Sequence, residues 1–248
     1  MNMIAEKMNN EDYSWLEAVV FDLDGTLLDS APDLTAALNL VLEMQGLAPL
    51  DVDKVRYMIG AGVPKLIERG FREHGVRLDA ENMDADLLDA FLAYYDAHAA
   101  DLSKVYPGTY DLIEFLCNRS VRIGLCTNKP TGATKEILSS FGLEDCFDSV
   151  IGGTSGFPKK PDPAGLKACL DELGVEPSQT LFIGNSATDV KTAKNAGLPV
   201  VAMSYGYERT PAHELGADLV VDSFRELQRL LEKSVKLRPG RLPDINND

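Results

Sequence analysis

The chain has 248 residues and a formal net charge of −15, from 24 Lys+Arg against 39 Asp+Glu. That balance excludes a nucleic-acid binder, which needs a basic footprint, and argues against docking on anionic lipid. A hydrophobic content of 45% with 25% charged residues fits a globular chain of one or two domains and excludes disorder for its bulk. The cysteines are Cys117, Cys126, Cys146 and Cys169, without a Cys-x-x-Cys pair, and His74, His98 and His213 lie far apart. A Cys/His zinc site therefore has no support, and reduced thiols are expected. The first residues are polar and acidic without an apolar h-region, and no apolar run approaches roughly 18 residues. A cytoplasmic protein follows as the expectation, with no membrane span.

In chain order, the first strand is predicted over Leu16–Phe21 and runs into Asp22-Leu23-Asp24-Gly25-Thr26. A helix follows, with Leu34, Leu38, Val41 and Leu42 at helical spacing and Gly46 as its stop. From there to about Tyr106 the patterns are helical, over Gly62–His74 and Met83–Ala99, with no convincing strand. Strands then alternate with helices. The strands are Val121–Cys126, Ser149–Ile151, Thr180–Ile183, Val200–Ala202 and Leu219–Val221; the helices are Thr109–Arg119, Thr131–Phe141, Pro163–Leu173, Ala187–Ala196 and Phe224–Leu231. Such alternation means a parallel sheet covered on both faces. The expected architecture is α/β: a doubly wound parallel sheet, Rossmann-like, with a helical cap inserted after the first strand. The core spans 15–30 and 107–233, the cap 31–106, and loose tails 1–14 and 234–248. Ser30–Pro32 and Pro107-Gly108 are natural hinges.

Ligands of an open parallel sheet bind at the carboxyl ends of its strands. After the first strand come Asp22 and Asp24; after the second, Thr127, Asn128 and Lys129. A loop past the third brings Lys159 and Lys160, and Gly184, Asn185 and Asp189 follow the fourth. Carboxylates, small hydrogen-bonding groups and a lysine suit Mg²⁺ and a phosphoryl group, and an Asp can attack phosphorus. Taken singly, each motif has a bland reading. Asp-Gly favours turns, Thr-Asn caps helices, most loop lysines are solvated, and Asp189 suits a helix N-terminus. Four such clusters, in order and each at a strand end, point together to phosphoryl chemistry.

On these residues the chain resembles the haloacid dehalogenase-like hydrolases. The motifs are FDLDGTLLDS (Phe21–Ser30), CTNKP (Cys126–Pro130), KKPDP (Lys159–Pro163) and IGNSATD (Ile183–Asp189). IGAGVPKLIERG (Ile59–Gly70), YPG (Tyr106–Gly108) and SYGYE (Ser204–Glu208) are similar to the phosphoglycolate phosphatase branch. The resemblance implies an Mg²⁺-dependent phosphatase, with 2-phosphoglycolate as first substrate and an aspartyl-phosphate intermediate. It implies Asp22 as nucleophile, Asp24 as acid and then base, Thr127 as a phosphoryl hydrogen-bond donor and Lys160 as its countercharge. The implied metal set is Asp22, Asp24 through its carbonyl, Asn185 and Asp189. The substrate-binding set is Thr26, Asn128, Gly60, Lys65 and Arg69.

One position departs from the family, which has Asp where this chain has Asn185. A neutral amide brings one negative charge fewer, so weaker Mg²⁺ binding is expected. Another small-metabolite phosphatase (for sugar phosphates, nucleotides or pyrophosphate) and a catalytically weak binding or regulatory homologue remain alternatives. The partner implied is a small phosphorylated metabolite, and the expected assembly is a monomer or homodimer. Lys65, Arg69 and Arg72 share one helix face, with Glu68 and Glu73 offering local ion pairs. Arg69 is expected to face an acidic substrate, and Lys65 and Arg72 to be solvated. Between Asp79 and Asp101 the cap carries seven acidic residues and no Lys or Arg, so much of its acidity is expected on an outer face.

Overall fold

A computed structural model describes residues 15–232. Both predicted tails lie outside the described residues. The elements are β1 (Ala18–Phe21), β2 (Leu28–Asp29), α1 (Ala31–Met44), α2 (Val52–Arg56), α3 (Val63–Glu73), α4 (Ala85–His98), β3 (Lys104–Val105), α5 (Thr109–Cys117), β4 (Arg122–Cys126), α6 (Thr131–Ser140), β5 (Ser149–Ile151), α7 (Ala164–Leu173), β6 (Thr180–Gly184), α8 (Ala187–Ala196), β7 (Val200–Met203), β8 (Leu219–Val221) and α9 (Phe224–Glu232). Six strands form one parallel sheet in the order β5-β4-β1-β6-β7-β8. All four residues of β1 are buried, as expected for a central strand covered on both faces.

The strand period of two divides the core. Ala18 and Val20 face a cluster with Phe182, Leu166 and Leu170 beneath α7 and α8. Val19 and Phe21 face the other side, with Leu112, Leu116 and Leu227 from α5 and α9. This second cluster continues into the helical block through Leu28, Leu38, Phe91 and Tyr95, so one apolar mass seats the block on the sheet. Leu34, Leu38, Val41 and Leu42, the stripe read from the sequence, are all buried.

The helical region also holds what periodicity did not show. β2 pairs antiparallel with β3, Leu28 opposite Val105 and Asp29 opposite Lys104. Both crossings between sheet and helical block thus run through a two-residue ribbon. The short α2 was missed as well. Segments of two to five residues are too brief to express a period.

Candidate active site

The four motif clusters line one cleft of about 230 Å³ at the carboxyl edge of the sheet. Adjacent parallel strands bring them together: β1 carries Asp22 and Asp24 past its end, β4 carries Thr127 to Lys129, and β6 carries Asn185. The Asp22 amide donates to the Ile183 carbonyl (2.9 Å), which fixes the turn of chain where β1 stops.

Lys160 joins two of these clusters. Its Nζ donates to Asp22 Oδ1 (2.7 Å) and to Asp189 Oδ1 (2.6 Å), and all three side chains are nearly sealed from water. Burial would lower the Lys160 pKa, but the charges of Asp189 and Asp22 outweigh it and hold the ammonium charged. Asp22 itself is pushed up to about 7, by burial first and then by Asp189, against the lowering effect of Lys160. Asp189 is the third residue of a capping box on α8. Its Oδ2 accepts from the Asn185 and Ser186 amides (3.1 and 3.0 Å) and from Ser186 Oγ (2.7 Å). The bland reading of Asp189 as a helix-end residue and its place beside Lys160 are therefore both realised.

Asp24 accepts at Oδ1 from Ser30 Oγ (2.5 Å) and Lys129 Nζ (2.9 Å). Asn128 spends its amide on the protein: Oδ1 accepts from the Lys160 amide (2.8 Å), and Nδ2 donates to the carbonyls of Lys160 (3.1 Å) and Gly60 (3.0 Å). Thr127 lies on the cleft wall, its Oγ1 accepting from the Lys129 amide (3.2 Å).

Asn185 is wedged where a Cβ on either Gly25 or Gly206 would strike it, at 2.6 and 2.3 Å. The amide orientation that satisfies its neighbours points Nδ2 at Thr26 Oγ1 (3.0 Å) and the Asp24 carbonyl (3.2 Å), with Oδ1 accepting from the Tyr207 amide (3.0 Å). The hydroxyl accommodates either orientation, whereas a carbonyl can only accept and an N–H can only donate. The amide thus ties the loop after β1 to the loop after β7. Its nitrogen faces the carbonyl that the sequence reading placed in a metal set.

Among the described residues no three carboxylate, thiolate or imidazole side chains are grouped to hold an ion. A cation here would draw on Asp22, Asp189 and the Asp24 carbonyl beside Asn185. In the buried ion-paired group, Asp22, Asp24 and Asp189 are set against Lys129 and Lys160, one negative charge in surplus when all three carboxylates are ionised; the wider cleft adds Glu208, Arg69 and Arg209.

The other candidates fall as follows. Gly60 and Arg69 line the cleft, and Arg69 Nη1 donates to the Met58 carbonyl (2.7 Å). Lys65 and Arg72 both pair with Glu68, and neither lines the cleft. Thr26 is fully buried against Asn185 rather than on the cleft wall. Sequence reading gave no role to Lys129, although it stands beside Asn128. Tyr95, Tyr207 and Arg209 also line the cleft without an assigned role from the sequence; Tyr207 lies in the SYGYE stretch, whereas an aromatic such as Tyr95 on an amphipathic helix carries no signal of its own. Tyr207 Oη donates to Asp29 Oδ1 (2.8 Å) and accepts from the amides of Ser30 (2.8 Å) and Ala31 (3.2 Å), capping α1 where the chain enters the helical block.

A model of the haloacid dehalogenase-like hydrolases matches residues 16–197. The chain belongs to that family. It is 47% identical over 214 residues to a phosphoglycolate phosphatase of Rhodospirillum rubrum, covering 85% of this chain and 89% of that protein. A phosphoglycolate phosphatase of Cereibacter sphaeroides is 44% identical over 218 residues, covering 88% and 99%. Among solved structures, a Haemophilus somnus protein described as a predicted phosphoglycolate phosphatase is 30% identical with a TM-score of 0.79, covering 88% and 98%. CbbY from Rhodobacter sphaeroides, solved in complex with phosphate, is 26% identical with a TM-score of 0.72, covering 86% and 96%. The sheet, its helices and the helical block of this hydrolase thus follow the family's plan. No helix among the described residues is long and apolar enough to cross a membrane.

Proposed function

We propose that this hydrolase is an Mg²⁺-dependent phosphatase of small phosphate monoesters, foremost 2-phosphoglycolate, acting through an aspartyl-phosphate on Asp22. The observation that carries the reading is Asp22 clamped by Lys160 at a sealed strand end, with Asp24 two residues on and held separately. The similarity to phosphoglycolate phosphatases supports the substrate class. A cleft of about 230 Å³ is smaller than the roughly 300–1,000 Å³ typical of drug-sized ligand sites, which favours a compact ester over a nucleotide. Arg69 and Arg209 also line the cleft, cations suited to the carboxylate of such a substrate.

In this reading an Asp22 oxygen attacks phosphorus while the bond to the ester oxygen breaks, and Asp24 gives that oxygen its proton. Asp24 then takes a proton from water, which attacks phosphorus and releases Asp22 and inorganic phosphate. Lys160 offsets charge on the phosphoryl oxygens, and Thr127 donates a hydrogen bond to them. Mg²⁺, which stabilises phosphoryl charge when bound, would be held by Asp22, Asp189 and the Asp24 carbonyl, with Asn185 as a weak neutral neighbour. Residues 31–106 act as the substrate-selecting cap, and the sheet with its helices as the catalytic core. The setting is cytoplasmic.

The amide at Asn185 favours one second reading, a binding or regulatory protein with little turnover. A phosphate-release panel on small esters, with and without Mg²⁺, on wild type and Asp22→Asn, separates the two. Metal-stimulated release that Asp22→Asn abolishes supports the phosphatase; binding of esters without release supports the alternative. A rate surviving in Asp22→Asn would reject the nucleophile.

A further inference from the structure

Lys129 is a buried ammonium that the mechanism above does not use. Its side chain is 2% exposed, and its Nζ contacts two groups, Asp24 Oδ1 (2.9 Å) and Tyr95 Oη. The Nζ also stands 4.5 Å from the centre of the Tyr95 ring. Burying an ammonium costs several kcal/mol unless it is paired, so this lysine needs Asp24 as its counterion. Burial alone would lower its pKa, but the Asp24 charge and the Tyr95 contact raise it, so it stays charged. Both anchors on the Asp24 carboxyl, Ser30 and Lys129, fall on Oδ1, which leaves Oδ2 for the substrate.

Tyr95 belongs to α4, in the helical block, and is fully buried. The preceding residue repeats the arrangement. Asn128 holds the Lys160 backbone on both sides and donates to the Gly60 carbonyl of the helical block. Two consecutive residues after β4 thus each grip one reacting residue and one point on the block.

We propose that Lys129 is a positioning residue that orients the Asp24 carboxyl for proton transfer, and that Tyr95 ties this orientation to the seating of the helical block. The inference rests on the phosphatase reading. In the step concerned, Asp24 enters protonated on Oδ2, with Oδ1 still accepting from Ser30 and Lys129; the Asp22 oxygen–phosphorus bond forms, the phosphorus–ester oxygen bond breaks, and the Oδ2 proton passes to the departing oxygen. Misplacing Asp24 slows only esters whose leaving oxygen needs that proton. A nitrophenolate leaves without it, whereas an alkoxide does not.

The test is single-turnover quench-flow, which isolates transfer to Asp22, with 2-phosphoglycolate (or the best alkyl ester of the panel) against p-nitrophenyl phosphate. General acid catalysis contributes about 10²–10⁴-fold. Lys129→Met is therefore expected to slow the alkyl ester about 100-fold and the nitrophenyl ester less than about tenfold, with KM little changed. Tyr95→Phe keeps the ring in the core and removes only the hydroxyl; it is expected to show the same asymmetry at about five- to tenfold. Equal losses on both esters, or none, would overturn the positioning role. A symmetric Tyr95→Phe would overturn the tie to the helical block. Wild type inactive on both esters would overturn the phosphatase reading and this inference with it, an outcome distinct from symmetric loss.

Discussion

The Lys160 ammonium and the Asp22 carboxylate lie 2.7 Å apart, at side-chain exposures of 5% and 10%. The same ammonium reaches Asp189 at 2.6 Å, so one cation serves two buried carboxylates. Burial first, and then the charge of Asp189, pushes Asp22 up to about 7 against the pull of Lys160, and this arrangement underlies the first two expectations.

The nucleophile must be ionised. In the free enzyme kcat/KM should therefore fall about tenfold per unit as pH drops below about 7. A divalent cation favours the charged carboxylate, so saturating Mg²⁺ should move that acidic limb to lower pH. Rate–pH profiles at two Mg²⁺ concentrations check this; a limb that ignores Mg²⁺ would place the metal away from Asp22. The sign for stability is opposite. A carboxyl raised from 3.8 in the unfolded chain to about 7 contributes stability present below 3.8 and lost as pH rises through about 7. Melting curves of Asp22→Asn and wild type should therefore diverge in favour of the variant between pH 4 and pH 8.

Removing the shared cation is the severe change. Lys160→Met leaves two sealed carboxylates without their counterion, a loss of about 3–5 kcal/mol. At about 2–4 °C per kcal/mol for a chain of this size, Tm should fall by roughly 6–20 °C at pH 8, together with turnover. Acid should narrow the gap, because protonated carboxyls need no partner. A calorimetric scan at pH 5 and pH 8 measures both.

Asn185→Asp replaces a donor with an acceptor. The new carboxylate would face the Asp24 carbonyl without the Nδ2 hydrogen bond now made at 3.2 Å. Without metal the variant should melt a few degrees below wild type, at about 1–3 kcal/mol. With metal the order should reverse, and Mg²⁺ affinity by titration calorimetry should rise about tenfold or more, because Mg²⁺ prefers carboxylates. Unchanged affinity would show that position 185 takes no part in the metal site.

Arg69 lines the cleft, whereas Lys65 and Arg72 are paired with Glu68. Arg69→Gln should raise KM for 2-phosphoglycolate about tenfold and for the neutral ester ethyl phosphate about twofold or less, the scale of one charge-assisted hydrogen bond. Equal changes in the two would remove Arg69 from carboxylate recognition. Lys65→Gln should leave both near wild type, since Lys65 does not line the cleft and a half-exposed i,i+3 ion pair contributes little.

Much of this was legible in the chain itself. The period-3.6 pattern of a long helix such as Ala31–Met44 is one-dimensional, a short apolar run such as Thr180–Gly184 reads as a buried strand, and strand–helix alternation implies a parallel sheet whose strand ends collect the motifs. The residue types after β1, β4 and β6 announced phosphoryl chemistry, because few other reactions need two aspartates, a lysine and small donors without histidine or cysteine. Hydrogen-bond direction and side-chain pairing were not legible, since they depend on residues distant in sequence. Which way the Asn185 amide points is not written in the chain; the Tyr207 amide and the Asp24 carbonyl fix it. Lys129 reads as one of three polar residues after a strand, with no partner named, until Tyr95, 34 positions earlier, meets it. Local chemistry is written in the order of the residues; which buried donor faces which acceptor is decided only when packing excludes water and leaves each polar group its few available partners.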